Sequence, residues 1–127
     1  VYIKCNVAMI KQLIGILLDN AVKYSNEGGR ISLKVYSSDE KACISVFNTG
    51  EPVPKESLPH LFERFYRVDT SRSRERWGNG LGLSIAKRII ETNEGRISVS
   101  SGAETGTVFT CTFKKLKENK KALKFRN

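Results

Sequence analysis

The stretch Gln12–Gly29, QLIGILLDNAVKYSNEGG, constrains the fold more than any other part of the chain. Ile10, Leu13, Ile14, Leu17 and Ala21 recur at helical spacing, so the segment has one apolar face. Asn26, Gly28 and Gly29 stop the pattern. On a helix Asn20, Lys23 and Tyr24 lie three and four residues apart and are neighbours. An amide oxygen can ligate a hard cation, a lysine can meet phosphate, and an aromatic face can stack on a base. Together they suggest a nucleotide held by its metal, its phosphates and its ring. The same triplet also suits the solvated end of a core helix, and this stretch alone leaves both readings open.

The remainder of the chain supplies partners for that helix. Val1–Cys5 alternates like a strand, and Asn6 is placed to cap the helix, without a capping-box partner at Met9. Arg30–Ser37 alternates, with Ile31, Leu33 and Val35 on one face, and Ala42–Phe47 follows a polar turn as the second arm of a hairpin. Asn48–Pro54, NTGEPVP, is a loop by its glycine and prolines. A helical turn near Lys55–Leu58 and the aromatic cluster LFERFYR come next. Asp69–Gly80 is polar, arginine-rich and without apolar periodicity, which in a compact domain points to a functional loop such as a lid. Leu81–Thr92 is a second amphipathic helix with Ile85, Ala86, Ile89 and Ile90 inward. Arg96–Ser101 and Thr107–Lys114 are strands about a turn at Gly102–Gly106, with Phe109, Cys111 and Phe113 on one face. The order helix, hairpin, loops, helix, hairpin predicts an α+β fold. It is a two-layer α/β sandwich whose mixed, mostly antiparallel sheet carries helices on one face.

At 127 residues the chain fits one domain with a single core. No run is long enough for a membrane-spanning helix, no signal peptide is visible, and the chain as given reads as a soluble piece of something longer. Its net charge is +9. Lys115–Asn127 holds six cations and one acid, so much of the basicity belongs to a tail beyond a domain at residues 1–114. The surplus on the body favours a polyanionic ligand. Cys5, Cys43 and Cys111 are too scattered for a metal or redox pair and suit a reduced, intracellular setting.

Gly78, Gly80 and Gly82 alternate in WGNGLGLSIAK and lead straight into a helix, whose start offers N–H groups to phosphate. The spacing is neither the dinucleotide fingerprint, since Leu83 stands where the third glycine would be, nor a P-loop. Taken alone, such a run also suits a flexible turn at a helix start.

Five segments in order resemble the boxes of one family. LLDNAVKYS is similar to the asparagine box of bacterial two-component sensor histidine kinases, VFNTGEPVP to the first glycine box and LFERFYRVD to the phenylalanine box. GNGLGLSIAK resembles the second glycine box and ETGTVF the last. The chain thus resembles the catalytic, ATP-binding domain of these kinases, in the gyrase, chaperone, kinase and mismatch-repair (GHKL) superfamily, with its Bergerat-type fold.

The resemblance implies that Asn20 ligates a magnesium ion bridging ATP phosphates, that Lys23 meets a phosphate and that Tyr24 lines the adenine pocket. It implies contacts to nucleotide from Asn48, Gly50, Val53 and Leu83. Phe62 and Phe65 would anchor the near end of the lid at Asp69–Asn79, and Arg67 would reach the γ-phosphate. Gly80 and Gly82 would admit the phosphates, Leu81 would hold the lid hinge, and Thr107 would floor the base pocket. Departures are informative. Asn48 stands where an aspartate usually accepts a bond from the adenine amino group; its amide oxygen still accepts, without charge assistance. Pro52 replaces a second glycine, and Trp77 replaces a small residue in the lid. Ile16 stands where hydrolytic members carry a water-activating glutamate, and an isoleucine is no base.

The implied activity is transfer of the ATP γ-phosphoryl group to a histidine on a separate dimerisation domain, with a response regulator downstream. The setting would be cytoplasmic, within a membrane-bound kinase. His60, the single histidine, lies in LPHLFERF, outside any acceptor-like helix, and reads as structural or surface. Three rivals remain on the sequence: a serine kinase of the anti-sigma type, a non-catalytic nucleotide sensor, and a nucleic-acid binder. The last lacks a basic helix or an aromatic platform interleaved with lysines. Direct membrane contact by this piece is not expected.

Overall fold

The computed structural model describes residues 2–66 and 81–115. Val1, residues 67–80 (Arg67, the lid expected at Asp69–Asn79 and Gly80 among them) and residues 116–127 of the expected tail lie outside the described residues.

Helix α1 spans Val7–Tyr24 and begins where Asn6 accepts a hydrogen bond from the Met9 N–H at 3.1 Å. That satisfies one of the donors a helix start leaves over. Leu13, Leu17 and Ala21 are buried along one stripe, while Ile10 and Ile14 flank it half-buried. The helix ends at Ser25, whose N–H reaches the Ala21 carbonyl. Strands β1 (Ile31–Ser38) and β2 (Lys41–Asn48) form the first hairpin, and β3 (Arg96–Gly102) and β4 (Gly106–Lys114) the second. Helix α2 (Gly82–Thr92) precedes β3, and a short 3-10 turn at Leu58–His60 lies between the halves.

The strands form one sheet in the order β1-β2-β4-β3, and every pairing among the described residues is antiparallel. In-register rows cross the sheet, one running Leu33–Val46–Phe109–Val99 and another Ile31–Asn48–Thr107–Ser101. Paired residues share a face, so both rows face the helix layer. The core is Leu13, Leu17 and Ala21 of α1 and Ala86, Ile89 and Ile90 of α2, closed on Ile44, Val46, Phe109, Cys111 and Phe113. This is the expected two-layer α+β arrangement. No helix among the described residues is long and apolar enough to cross a membrane.

Asn93 joins the helices at one end. Its amide donates to the Ile89 carbonyl at 2.8 Å, closing α2, and its carbonyl oxygen accepts the Asn6 N–H at 2.9 Å. Residues 2–5 form no strand, contrary to the alternation of Val1–Cys5; Ile3 instead packs on the core. The helical turn expected at Lys55–Leu58 is found at Leu58–His60. Ile85 faces outward, because α2 meets its neighbours through Ala86, Ile89 and Ile90. Ile31, Leu33 and Val35 do share a face, yet they are exposed, since the helices stop short of edge strand β1.

Candidate nucleotide site

The helix layer and the sheet part at one end to leave a cleft lined by Asn20, Tyr24, Val53, Leu61, Leu83, Thr107 and Phe109. Its free space is about 200 Å³, counting the part open to solvent. Asn20 and Tyr24 come from consecutive turns of α1, as their spacing requires. Leu83 comes from the first turn of α2, Thr107 and Phe109 from alternate positions of β4, and Val53 from the loop after β2. The lining is apolar except for one amide, one phenol and one hydroxyl, and Thr107 is only 4% exposed.

Other anticipated residues surround the cleft rather than line it. Lys23 pairs with Asp19 at 3.1 Å on the exposed side of α1, a pair worth a few tenths of a kcal/mol at most, roughly. Asn48 is 2% exposed and donates its amide N–H to the Thr49 carbonyl at 3.0 Å. Its amide oxygen is thereby the atom turned away from that carbonyl. Gly50 holds φ of 139°, and a Cβ there would collide with the Tyr24 carbonyl. Loop and helix end therefore meet directly. Phe62 packs edge-on to Phe109 with centroids 6.1 Å apart, one layer behind the lining. Phe65 is 61% exposed with φ of 65°, under the Arg64 guanidinium, and the lid end that it was expected to anchor lies outside the described residues. Arg67 and Gly80 lie outside the described residues.

Leu81 occupies the N-cap of α2 without a side-chain cap, and no acid stands in the first turn. A helix start leaves its leading N–H groups without partners inside the helix and carries the positive end of the helix dipole, a setting that favours an anion. A Cβ on Gly82 would meet only Ile16 Cγ2 at 3.6 Å, an ordinary contact, so packing within the protein does not demand glycine there. His60 is on the surface, 2.7 Å from Glu63 and stacked on Tyr66. Leu61 and Phe109 were not anticipated as lining. Phe109 was within reach, because strand alternation puts it on the same face as Thr107.

A family model described as histidine kinase-, DNA gyrase B- and HSP90-like ATPase matches residues 5–117. The chain belongs to that family. Within it the likeness is to histidine kinases, as an ATP-binding catalytic domain. The signal transduction histidine-protein kinase ArlS of Staphylococcus aureus (strain USA300) is 41% identical over 111 residues, 87% of this chain and 25% of ArlS. The chain thus spans about a quarter of that relative. Among solved structures, a mycobacterial sensor histidine kinase, MprB, superposes with a TM-score of 0.78 at 26% identity, over 88% of this chain and 76% of MprB. The catalytic domain of histidine kinase ThkA gives 0.74 at 32% identity, over 89% and 70%. ThkA has also been solved in complex with a response regulator protein, TrrA.

Proposed function

We propose that this domain binds ATP with magnesium and presents the γ-phosphoryl group to a histidine of a separate helical dimerisation domain. One observation carries the reading: Asn20 and Tyr24 of α1 open into the same cleft as Thr107 of β4 and Leu83 at the start of α2. The purine lies between Tyr24, Val53, Leu61 and Phe109, with Thr107 as its polar floor. Phosphates extend toward the first turn of α2, where N–H groups and the helix dipole favour negative charge. Lys23 exchanges its exposed pairing with Asp19 for a phosphate.

No set of three or more His, Cys, Asp or Glu side chains stands together among the described residues. The Asn20 amide oxygen would give one ligand to a magnesium ion, whose remaining ligands would come from phosphate and water. When bound, the ion neutralises phosphate charge as the leaving oxygen develops. In the transfer the bond between the γ-phosphorus and the β–γ bridging oxygen breaks, a phosphorus–nitrogen bond to the acceptor imidazole forms, ADP leaves and the imidazole gives up its proton. Arg67 is assigned the γ-phosphate on the resemblance of its motif. His60, held by Glu63 beside Tyr66, is not the acceptor. In the whole protein a response regulator then takes the phosphoryl group, and a membrane-bound parent suits this cytoplasmic role.

Calorimetric titration with magnesium and ATP tests the reading: binding is expected for the wild type, and a loss of at least about tenfold for Asn20→Ala. The purified domain should label itself poorly from ATP and should label a histidine of an added cognate dimerisation domain. No binding to the wild-type domain, or labelling of serine instead, would overturn it.

A further inference from the structure

The row that floors the cleft holds a side chain that touches two of its walls without lining it. Ser101, half-buried near the end of β3, is directly opposite Thr107 in the β3–β4 register. Its Oγ accepts the Val53 N–H at 2.8 Å and lies 2.7 Å from Thr107 Oγ1. Val53 and Thr107 both line the cleft, and both are nearly buried.

A serine hydroxyl has one hydrogen and two lone pairs. One lone pair of Ser101 is taken by Val53. The remaining contact with Thr107 is shared, and its direction is free to reverse because hydroxyl hydrogens rotate. If Thr107 donates to Ser101, the Thr107 oxygen faces the cleft as an acceptor. If Ser101 donates to Thr107, the Thr107 hydrogen is released toward the cleft as a donor. A purine ring nitrogen is an acceptor, so the second arrangement suits it. The same atom meanwhile holds the loop after β2 against the sheet edge, which sets the cleft's width at Val53.

Resting on the nucleotide reading above, we propose that Ser101 is a positioning residue for the base: it pins Val53 and turns the Thr107 hydroxyl so that Thr107 donates to a ring nitrogen. Ser101 does not itself touch the nucleotide. A β-hydroxyl on the strand is what the role needs, so threonine should replace it and alanine should not. The effect should pass through Thr107, so removing both hydroxyls should cost little more than removing one.

The test is ATP affinity, in the presence of magnesium, for the wild type, Ser101→Ala, Ser101→Thr, Thr107→Val and the Ser101→Ala/Thr107→Val pair, alongside amide hydrogen exchange at Val53. Ser101→Ala should weaken ATP about tenfold and speed exchange at Val53, with Ser101→Thr restoring both. The double variant should fall within about threefold of the weaker single variant. Unchanged ATP affinity in Ser101→Ala, or losses that multiply in full in the double variant, would overturn the proposal. Ser101→Cys, of similar size but with a weaker hydrogen-bonding group, serves the same comparison if the alanine variant does not fold, and unaltered affinity there counts equally against it. Failure of the wild type to bind ATP would instead strike at the nucleotide reading, so the two failures are distinct.

Discussion

Cys111 lies on the inner face of β4, opposite Ile44 on one side and Ile97 on the other, with no surface exposed. Burial among apolar neighbours disfavours its thiolate and pushes the thiol from an ordinary value of 9.0 up to about 12. The folded chain therefore keeps this proton at a pH where the unfolded chain has lost it. Stability from this group is complete below pH 9 and is lost as pH rises from about 9 toward 12. The expected slope is at most about 1.4 kcal/mol per pH unit. Urea denaturation at successive pH values should show the wild type losing stability faster than Cys111→Ala over that range, though the variant starts lower. Equal slopes would mean that the thiol ionises in the folded protein. Such burial also leaves the residue a small apolar filler rather than a reactive group.

Element ends, not element interiors, shape the cleft, and glycines there do two different jobs. Gly50 brings the loop after β2 against the end of α1, with a left-sided φ and no space for a Cβ beside the Tyr24 carbonyl. Gly82 opens α2 with space to spare. Gly50→Ala should cost about 1–3 kcal/mol in folding stability. Gly82→Ala should be neutral or stabilise by up to about 1 kcal/mol, yet weaken ATP about tenfold if the phosphates approach that backbone. Thermal melts and ATP titrations on both variants separate these effects. A Gly82→Ala protein with normal ATP affinity would place the phosphates elsewhere. The same contrast shows what was legible in sequence. Period and capping residues gave α1, α2 and all four strands, because burial of one face writes those patterns directly. Asn20, Tyr24, Val53, Leu83 and Thr107 were singled out through their motifs, and the structure brings them to one cleft. Leu61, the pairing of Lys23 with Asp19 and the Ser101 link were not legible, since each depends on where a loop or helix end docks. The strand assigned to Val1–Cys5 failed because alternation is a local signal, while pairing needs a neighbour.

At the scale of the molecule, among the described residues the helices cover β2, β4 and β3 but leave the inner face of β1 open, so the apolar layer runs past the cover that they give. Leu33 is 43% exposed and Val35 63%, whereas Leu17 is fully buried. An exposed apolar row on an edge strand, whose outer hydrogen-bonding groups meet no strand among the described residues, is a template for association. Three leucine-scale changes therefore have unequal weight. Leu17→Ala removes a side chain that joins α1 to the sheet and should cost about 2–5 kcal/mol. Leu33→Lys should change folding stability by less than about 1 kcal/mol. The double variant Leu33→Lys/Val35→Lys should reduce self-association of this domain while leaving ATP affinity as it was, because neither residue lines the cleft. Sedimentation velocity over a concentration series, paired with urea denaturation, measures both quantities. A wild-type domain that stays monomeric at high concentration, or a Leu33→Lys protein destabilised as severely as Leu17→Ala, would mean that the row is covered in solution and that the core extends beyond the two helices onto β1.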